Sequence, residues 1–216
     1  MDGLWFLSAA CILFTVSMFS SGLSDLRLMV SRRSVDNIQF LPFLTTQLNN
    51  LGWLYYGYLK ADGTLMTVNS IGASLQTLYM AAFILYSPEK KRPLSQMVLA
   101  LAVLVSGFSY FSLWIPDIGV RLNQLGLFCS VFTISMYLSP LADLAQIIRT
   151  KSTQCLSFPL TVTTFLTSTS WVLYGMQLGD AYIMVPNLPG IITSLLRIWL
   201  FWRYPQEPPT YRHLPA

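Results

Sequence analysis

The sequence predicts an all-α integral membrane protein whose seven transmembrane helices form two parallel three-helix repeats joined by a linker helix. Of the 216 residues, 54% are hydrophobic and 10% are charged, whereas a soluble domain carries about a quarter charged residues. The mean hydropathy is +0.54, and the charges gather between apolar stretches. The second half of the chain also repeats the first. This composition excludes a disordered chain, a nucleic-acid-binding protein with a basic face and almost any soluble enzyme.

Each apolar stretch has about the 20 residues that a membrane helix needs. The predicted spans cover residues 3–26, 38–59, 64–86, 94–115, 122–146, 156–178 and 181–203. The sequence before the first stretch, Met1-Asp2-Gly3, lacks the basic residues of a signal peptide, so we expect this span to be retained.

Lysine and arginine residues predict the orientation. Lys60 and Arg121 lie on one side of the predicted membrane, and Arg197 lies inside the last span. The other side carries Arg27, Arg32, Arg33, Lys90, Lys91, Arg92, Arg149, Lys151, Arg203 and Arg212. Since basic residues mark the cytosolic side, the N-terminus is predicted to be extracellular or lumenal and the tail 205–216 cytosolic. The three cysteines lack metal-ligand spacing, so no metal or cofactor is predicted.

The repeat appears when the sequence is shifted by 118 residues. The matched pairs include Cys11 with Cys129, Trp53 with Trp171, Tyr56-Gly57 with Tyr174-Gly175, Asp62 with Asp180, and Asn69 with Asn187. The shift crosses the predicted membrane four times, so the halves 3–86 and 122–204 insert in the same orientation around the linker 94–115. Parallel repeats are one plan for transporters, with the substrate between the halves near the midplane.

Polar side chains inside predicted spans indicate the substrate. Asn69 and Asn187 lie about 9–10 Å deep, and Trp53 and Trp171 lie at a similar level. A carboxamide both donates and accepts hydrogen bonds, and an aromatic face can stack on the apolar face of a pyranose. No carboxylate is predicted at the middle depth, where proton or ion coupling would need one. We therefore expect an uncoupled carrier of a small neutral sugar.

Helix-breaking residues predict where the halves move. Pro140 interrupts the fifth span, and Pro42 and Pro159 lie early in the second and sixth spans. Gly22 occupies the position in the first half that matches Pro140. Kinks at matching positions are natural hinges for rocking two halves, although packing alone can also require them.

In these residues the chain resembles the SWEET sugar transporters, particularly vertebrate members. The resemblance implies energy-independent, bidirectional transport, with glucose as the expected sugar, at the plasma membrane and the Golgi. It places the sugar pocket on Asn69, Asn187, Trp53 and Trp171, an outer gate on Tyr56 and Asp180, and the hinges on Pro42, Pro140, Pro159 and Gly22. The glycine departs from the four hinge prolines of the family.

Two alternatives stay open. A proton-coupled PQ-loop-type exporter of amino acids would need Pro-Gln in its spans, which here read Leu41-Pro42-Phe43 and Phe158-Pro159-Leu160. A seven-span receptor or adaptor would have no need of the repeat. Besides the sugar, the lipid bilayer is the expected partner, nucleic acid is not expected, and a homo-oligomer is left open.

Overall fold

The computed structural model describes residues 2–138, 144, 147–149, 151–153 and 156–204, in which every regular element is helical. The helices are α1 Asp2–Phe19, α2 Gly22–Arg32, α3 Phe40–Lys60, α4 Gly63–Tyr86, α5 Lys91–Ser109, α6 Ile118–Leu138, α7 Phe158–Leu178, α8 Ala181–Met184 and α9 Leu188–Arg203. A π-helical turn, Tyr110–Trp114, extends α5, and a 3-10 turn, Val185–Asn187, joins α8 to α9.

Within the described part of the chain, five helical segments are long and apolar enough to cross a membrane. They are Gly3–Arg32, Gly63–Tyr86, Lys91–Trp114, Ile118–Tyr137 and Ala181–Arg203. Helices α3 and α7 have 21 residues each, but they are less apolar than these five segments. Their polar residues include Asn50 and Ser168, which are buried inside the protein. The all-α membrane fold is confirmed, and the count of seven spans stays a prediction at these two helices.

The first span differs from the single helix expected over 3–26. An interruption at residues 20–21 separates α1 from α2, and residues 27–32, expected as loop, are helical. A Cβ atom on Gly22 would lie 2.5 Å from the Tyr79 ring, so the glycine allows α2 to approach α4 closely. Apolar length alone does not reveal such an approach.

The last span is also interrupted, where a continuous helix was expected over 181–203. Pro186 has no N–H and cannot donate to the carbonyl of Tyr182, four residues earlier. Ser130 of α6 donates its hydroxyl to that carbonyl instead, at 3.0 Å. The chain tightens into a 3-10 turn that ends at Asn187, whereas the counterpart α4 has no proline and is one helix.

Both halves reverse direction through the same short turn. In the first half, Ala61 ends α3 in the left-handed conformation at φ 54°, and Asp62 caps the start of α4. In the second half, Gly179 at φ 63° ends α7, and Asp180 caps α8. We call this end of the molecule the turn end. The opposite end carries most of the lysine and arginine residues and is called the basic end.

The two halves pack together mainly at the turn end. Helix α1 lies against α7 of the other half, and α6 lies against α3. One core joins both halves there, and its buried side chains include repeat pairs such as Cys11 and Cys129. Nearer the basic end the described side chains form separate cores, one around Tyr79 in the first half and one around Ile147 in the second. The space between the halves therefore lies on the basic side of the shared core.

Candidate functional site

A cavity of about 480 Å³ lies between the two halves. It is lined by all four side chains that were expected to bind substrate, namely Trp53, Trp171, Asn69 and Asn187. Polar side chains from both halves complete much of the wall, including Thr15, Thr46, Asn49, Thr133, Thr164 and Thr167. The volume lies in the range of about 300–1,000 Å³ that is common for small-molecule sites.

The two tryptophans are held by hydrogen bonds that cross between the halves. Trp53 of the first half donates its indole N–H to the Thr133 hydroxyl of the second, at 2.9 Å. Trp171 of the second half donates to the Thr15 hydroxyl of the first, also at 2.9 Å. Thr133 in turn donates to the Asn49 carbonyl oxygen at 2.8 Å. Because Thr15 and Thr133 are themselves repeat partners, the two bonds are equivalent.

Sequence reasoning missed these two threonines. The repeat that pairs Trp53 with Trp171 also pairs Thr15 with Thr133, so a signal was present. It did not show that each threonine serves the tryptophan of the opposite half, because a repeat reveals equivalent positions and not contacts.

The two asparagines are anchored in the same way at equivalent positions of the two halves. Asn69 donates from Nδ2 to the Leu65 carbonyl at 2.8 Å, and Asn187 donates from Nδ2 to the Ile183 carbonyl at 2.8 Å. A carboxamide has two N–H groups and a carbonyl oxygen. Each anchored amide therefore keeps hydrogen-bonding capacity for a molecule in the cavity that it lines.

Two tyrosine–aspartate contacts close the turn end. Tyr56 donates its hydroxyl to Oδ2 of Asp180 at 2.9 Å, which brings together the pair expected as a gate. The equivalent contact joins Tyr174 to Asp62, with the tyrosine oxygen 3.0 Å and 3.1 Å from the two carboxylate oxygens. Each contact links one half to the other. The second pair was not singled out from the sequence, although the repeat aligns both of its members with the first.

Lys60 makes the two contacts unequal. Its ammonium group pairs with the same Asp180 oxygen that Tyr56 binds. The repeat position of Lys60 is Leu178, so Asp62 has no equivalent lysine in the second half. In the sequence Lys60 indicated only the side of the membrane, and its contact at the turn end was missed.

The two tyrosines at the turn end, Tyr56 and Tyr174, also pack against the tryptophans of the cavity. The Trp53 and Tyr56 rings pack edge to face with centroids 5.5 Å apart, and Trp171 and Tyr174 do so at 5.6 Å. Both pairs are buried. The tryptophans therefore form the boundary between the cavity and the closed turn end.

The cavity wall extends toward the basic end. Gly22 and Pro42, two of the expected hinge residues, line this part, together with Asp25 and Arg197. Pro159 lies in the first turn of α7. The remaining expected hinge, Pro140, lies outside the described residues.

Comparison with known proteins identifies the family. A family model described as "Sugar efflux transporter for intercellular exchange" matches residues 5–91 and again residues 123–209. These ranges are offset by the same 118 residues as the sequence repeat. Sugar transporter SWEET1 of Xenopus laevis is 72% identical over 216 residues, with 100% of each chain covered. The chain belongs to the SWEET family.

Further relatives agree with this assignment to the SWEET proteins. Sugar transporter SWEET1 of Homo sapiens is 65% identical over 198 residues, covering 92% of this chain and 90% of the human one. A solved structure of a eukaryotic SWEET transporter superposes with a TM-score of 0.87 at 30% identity, covering 93% of this chain and 96% of that one. The resemblance seen in the sequence motifs is confirmed, and the helical arrangement is that of a SWEET transporter.

Proposed function

We propose that this SWEET protein is a uniporter that carries glucose or a similar monosaccharide in both directions, down its gradient, by alternating access. The observation that carries the proposal is the cavity, to which each half contributes one tryptophan and one asparagine. The names of the SWEET1 relatives, all described as sugar transporters, support the substrate class.

The chemistry of the cavity suits a neutral polyol. Asn69 and Asn187 offer donors and acceptors that match neighbouring hydroxyl groups. Trp53 and Trp171 offer aromatic faces for the C–H face of a sugar ring. Two tryptophans also leave less room than one tryptophan opposite a small residue, which favours a monosaccharide over a disaccharide.

The conformation is best interpreted as inward-facing. We assign the basic end to the cytosol because basic residues mark the cytosolic side of membrane proteins. The contacts of Tyr56 with Asp180 and of Tyr174 with Asp62 then act as the closed outer gate. The cavity wall continues from the tryptophans toward the cytosol.

Transport requires the two halves to rock about this cavity. We assign the moving units to residues 3–86 and 122–204, with 94–115 as the linker and 205–216 as a cytosolic tail. The hinge residues of this motion are Gly22, Pro42, Pro140 and Pro159. By family resemblance, the transporter operates in the plasma membrane and the Golgi.

One observation favours a coupled carrier as the second candidate. Asp25 and Arg197 border the basic part of the cavity, and a carboxylate beside a substrate path can carry protons. Asp25 lies in the first turn of α2, away from the tryptophan level. We therefore keep the uniporter as the primary proposal.

Counterflow in liposomes tests the two candidates. The purified protein is reconstituted into vesicles preloaded with glucose, another sugar or an amino acid, and uptake of the same compound in labelled form is measured for each. A uniporter exchanges glucose at the same rate with and without a pH gradient. Exchange of amino acids, or a steep dependence on the pH gradient, favours the coupled exporter.

A further inference from the structure

Two carboxamides in the cavity play no part in the site described above. Asn50 of α3 is 1% exposed and Gln76 of α4 is 6% exposed, and both line the cavity. Nδ2 of Asn50 and Oε1 of Gln76 are buried atoms without a hydrogen-bond partner. A buried polar atom left without a hydrogen-bond partner destabilises the protein, so both atoms favour a polar occupant of the cavity.

The two amides lie on the same part of the wall. A Cβ atom on Gly72 would lie 2.6 Å from Nδ2 of Asn50, so this amide rests directly on α4. Gln76 follows Gly72 by four residues, and side chains at this spacing lie on one face of a helix, with Cβ atoms about 5–6 Å apart. The absent side chain of Gly72 thus lets an unpaired donor pack on the helix face that carries an unpaired acceptor.

This position is separate from the level of the central pocket. Asn50 precedes Trp53 by three residues on α3, which places it about 5 Å nearer the basic end. Gln76 follows Asn69 by seven residues on α4, about 10 Å nearer the same end. The pair therefore lies between the tryptophan–asparagine level and the basic end.

The pair is present in the first half alone. The repeat positions of Asn50 and Gln76 are Ser168 and Ser194, both buried but much shorter. Ser168 already shares a hydrogen bond with the Tyr137 hydroxyl, at 3.2 Å. The first half alone therefore supplies amides to a ligand at this position.

We propose that Asn50 and Gln76 form a second hydroxyl-binding subsite, which the sugar occupies between the central pocket and the basic end. A sugar hydroxyl can accept a hydrogen bond from Nδ2 of Asn50 and donate one to Oε1 of Gln76, which gives both unpaired atoms a partner. The inference rests on the proposed sugar transport. A fixed structural water would satisfy the same two atoms, and the test must separate these occupants.

The test compares glucose with its monodeoxy analogues in equilibrium exchange by reconstituted protein. It uses the wild type, Asn50→Leu and Gln76→Met, with Ser168→Ala and Ser194→Ala as controls at the repeat positions. In the wild type we expect at least one deoxy sugar to show a half-saturation concentration raised about tenfold. That penalty disappears in Asn50→Leu or Gln76→Met and persists in both controls.

The subsite would be overturned if, for every deoxy sugar, the half-saturation concentration rose by the same factor in the wild type and in both amide variants. The two amides would then hold a structural water and not the sugar. A wild type that exchanges none of these sugars would instead overturn the proposed function and this inference with it. If the apolar variants do not fold, Asn50→Ser and Gln76→Ser, which copy the second half, are measured in the same way and judged by the same outcomes.

Discussion

At the scale of single residues, the tryptophans are fixed by partners from the opposite half. Trp53 and Trp171 are each 7% exposed, and each donates to a threonine hydroxyl across the interface. An indole N–H is a donor only, so it loses its partner if the hydroxyl is removed. The orientation of each ring in the cavity therefore depends on a residue that has no need to touch the substrate.

We predict that Thr133→Val weakens sugar exchange more than Thr15→Val. Both changes keep the shape of the side chain and leave a buried indole N–H unpaired, at about 1–3 kcal/mol. Thr133→Val also removes the bond to Asn49. The half-saturation concentration for glucose and the fluorescence of the tryptophans measure the effect.

Thr163→Val is the matched control, because the Thr163 hydroxyl donates to carbonyl oxygens of its own helix. Wild-type affinity and unchanged tryptophan fluorescence in Thr15→Val and Thr133→Val would contradict a positioning role.

At the scale of helices, glycines bring equivalent elements into close contact. A Cβ atom on Gly72 would lie 2.5 Å from the Phe19 ring, and one on Gly190 would lie 2.2 Å from the Ser168 hydroxyl oxygen and 2.9 Å from the Tyr137 ring. Phe19 and Tyr137 are repeat partners, as are the two glycines. Both halves therefore use the same close packing of the first helix on the third.

We predict that Gly72→Ala and Gly190→Ala each lower the thermal stability of the purified protein. The added methyl group overpacks the contact, which typically costs about 1–3 kcal/mol. Gly107→Ala in α5 is the control, because no heavy atom lies within 4 Å of the place that its added methyl group would occupy. There the higher helix propensity of alanine adds stability, up to about 1 kcal/mol. Equal melting temperatures for all three variants would exclude close packing at Gly72 and Gly190.

Much of the helical arrangement follows from apolar length and the repeat. The segment expected over 38–59 is α3, and the one expected over 64–86 is α4, each within two residues. A helix-breaking residue was expected at Gly22, although not a complete interruption before it, and the interruption at Pro186 was not expected. Both depend on a tertiary partner, the Tyr79 ring in one case and the Ser130 hydroxyl in the other. Hydropathy indicates which residues prefer to lie away from water, but it does not show which residues they contact.

The candidate site was predictable to a similar degree. The repeat identified Asn69 with Asn187 and Trp53 with Trp171, and the structure places all four in one cavity. Lys60 was missed because a charge at a helix end fits an exposed position equally well. Its pairing with Asp180 depends on how the two halves meet, which no local pattern encodes.

At the scale of the whole molecule, the closed turn end is symmetric in its tyrosines and asymmetric in its charge. Asp180 accepts a hydrogen bond from Tyr56 and also pairs with Lys60. Asp62 accepts a hydrogen bond from Tyr174 of the opposite half but has no equivalent lysine. Hydrogen bonds to charged groups contribute about 1.5–3 kcal/mol. The contact at Asp62 should therefore be the easier one to open.

We predict that Tyr174→Phe opens the turn end more than Tyr56→Phe, and that the double variant opens it most. The variant Thr164→Cys places a thiol in the cavity wall, and its reaction with a membrane-impermeant thiol reagent reports the opening. The third cysteine of the sequence is removed by Cys155→Ser, whereas Cys11 and Cys129 are kept because they are buried. Applied from the extracellular side, the reagent should react about tenfold faster in Tyr174→Phe than in the parent.

Tyr58→Phe serves as the control, because Tyr58 is 66% exposed on the same helix as Tyr56. Identical labelling rates in the parent and the tyrosine variants would mean that these contacts do not hold the turn end closed.

The central claim is that each half supplies one amide to a single sugar pocket. Counterflow of labelled glucose in liposomes tests this most directly, using the wild type, Asn69→Ala, Asn187→Ala and the exposed control Asn123→Ala. We predict that the wild type and the control exchange glucose, and that each pocket variant loses at least about tenfold in rate while remaining folded. Wild-type exchange by both Asn69→Ala and Asn187→Ala would contradict the account.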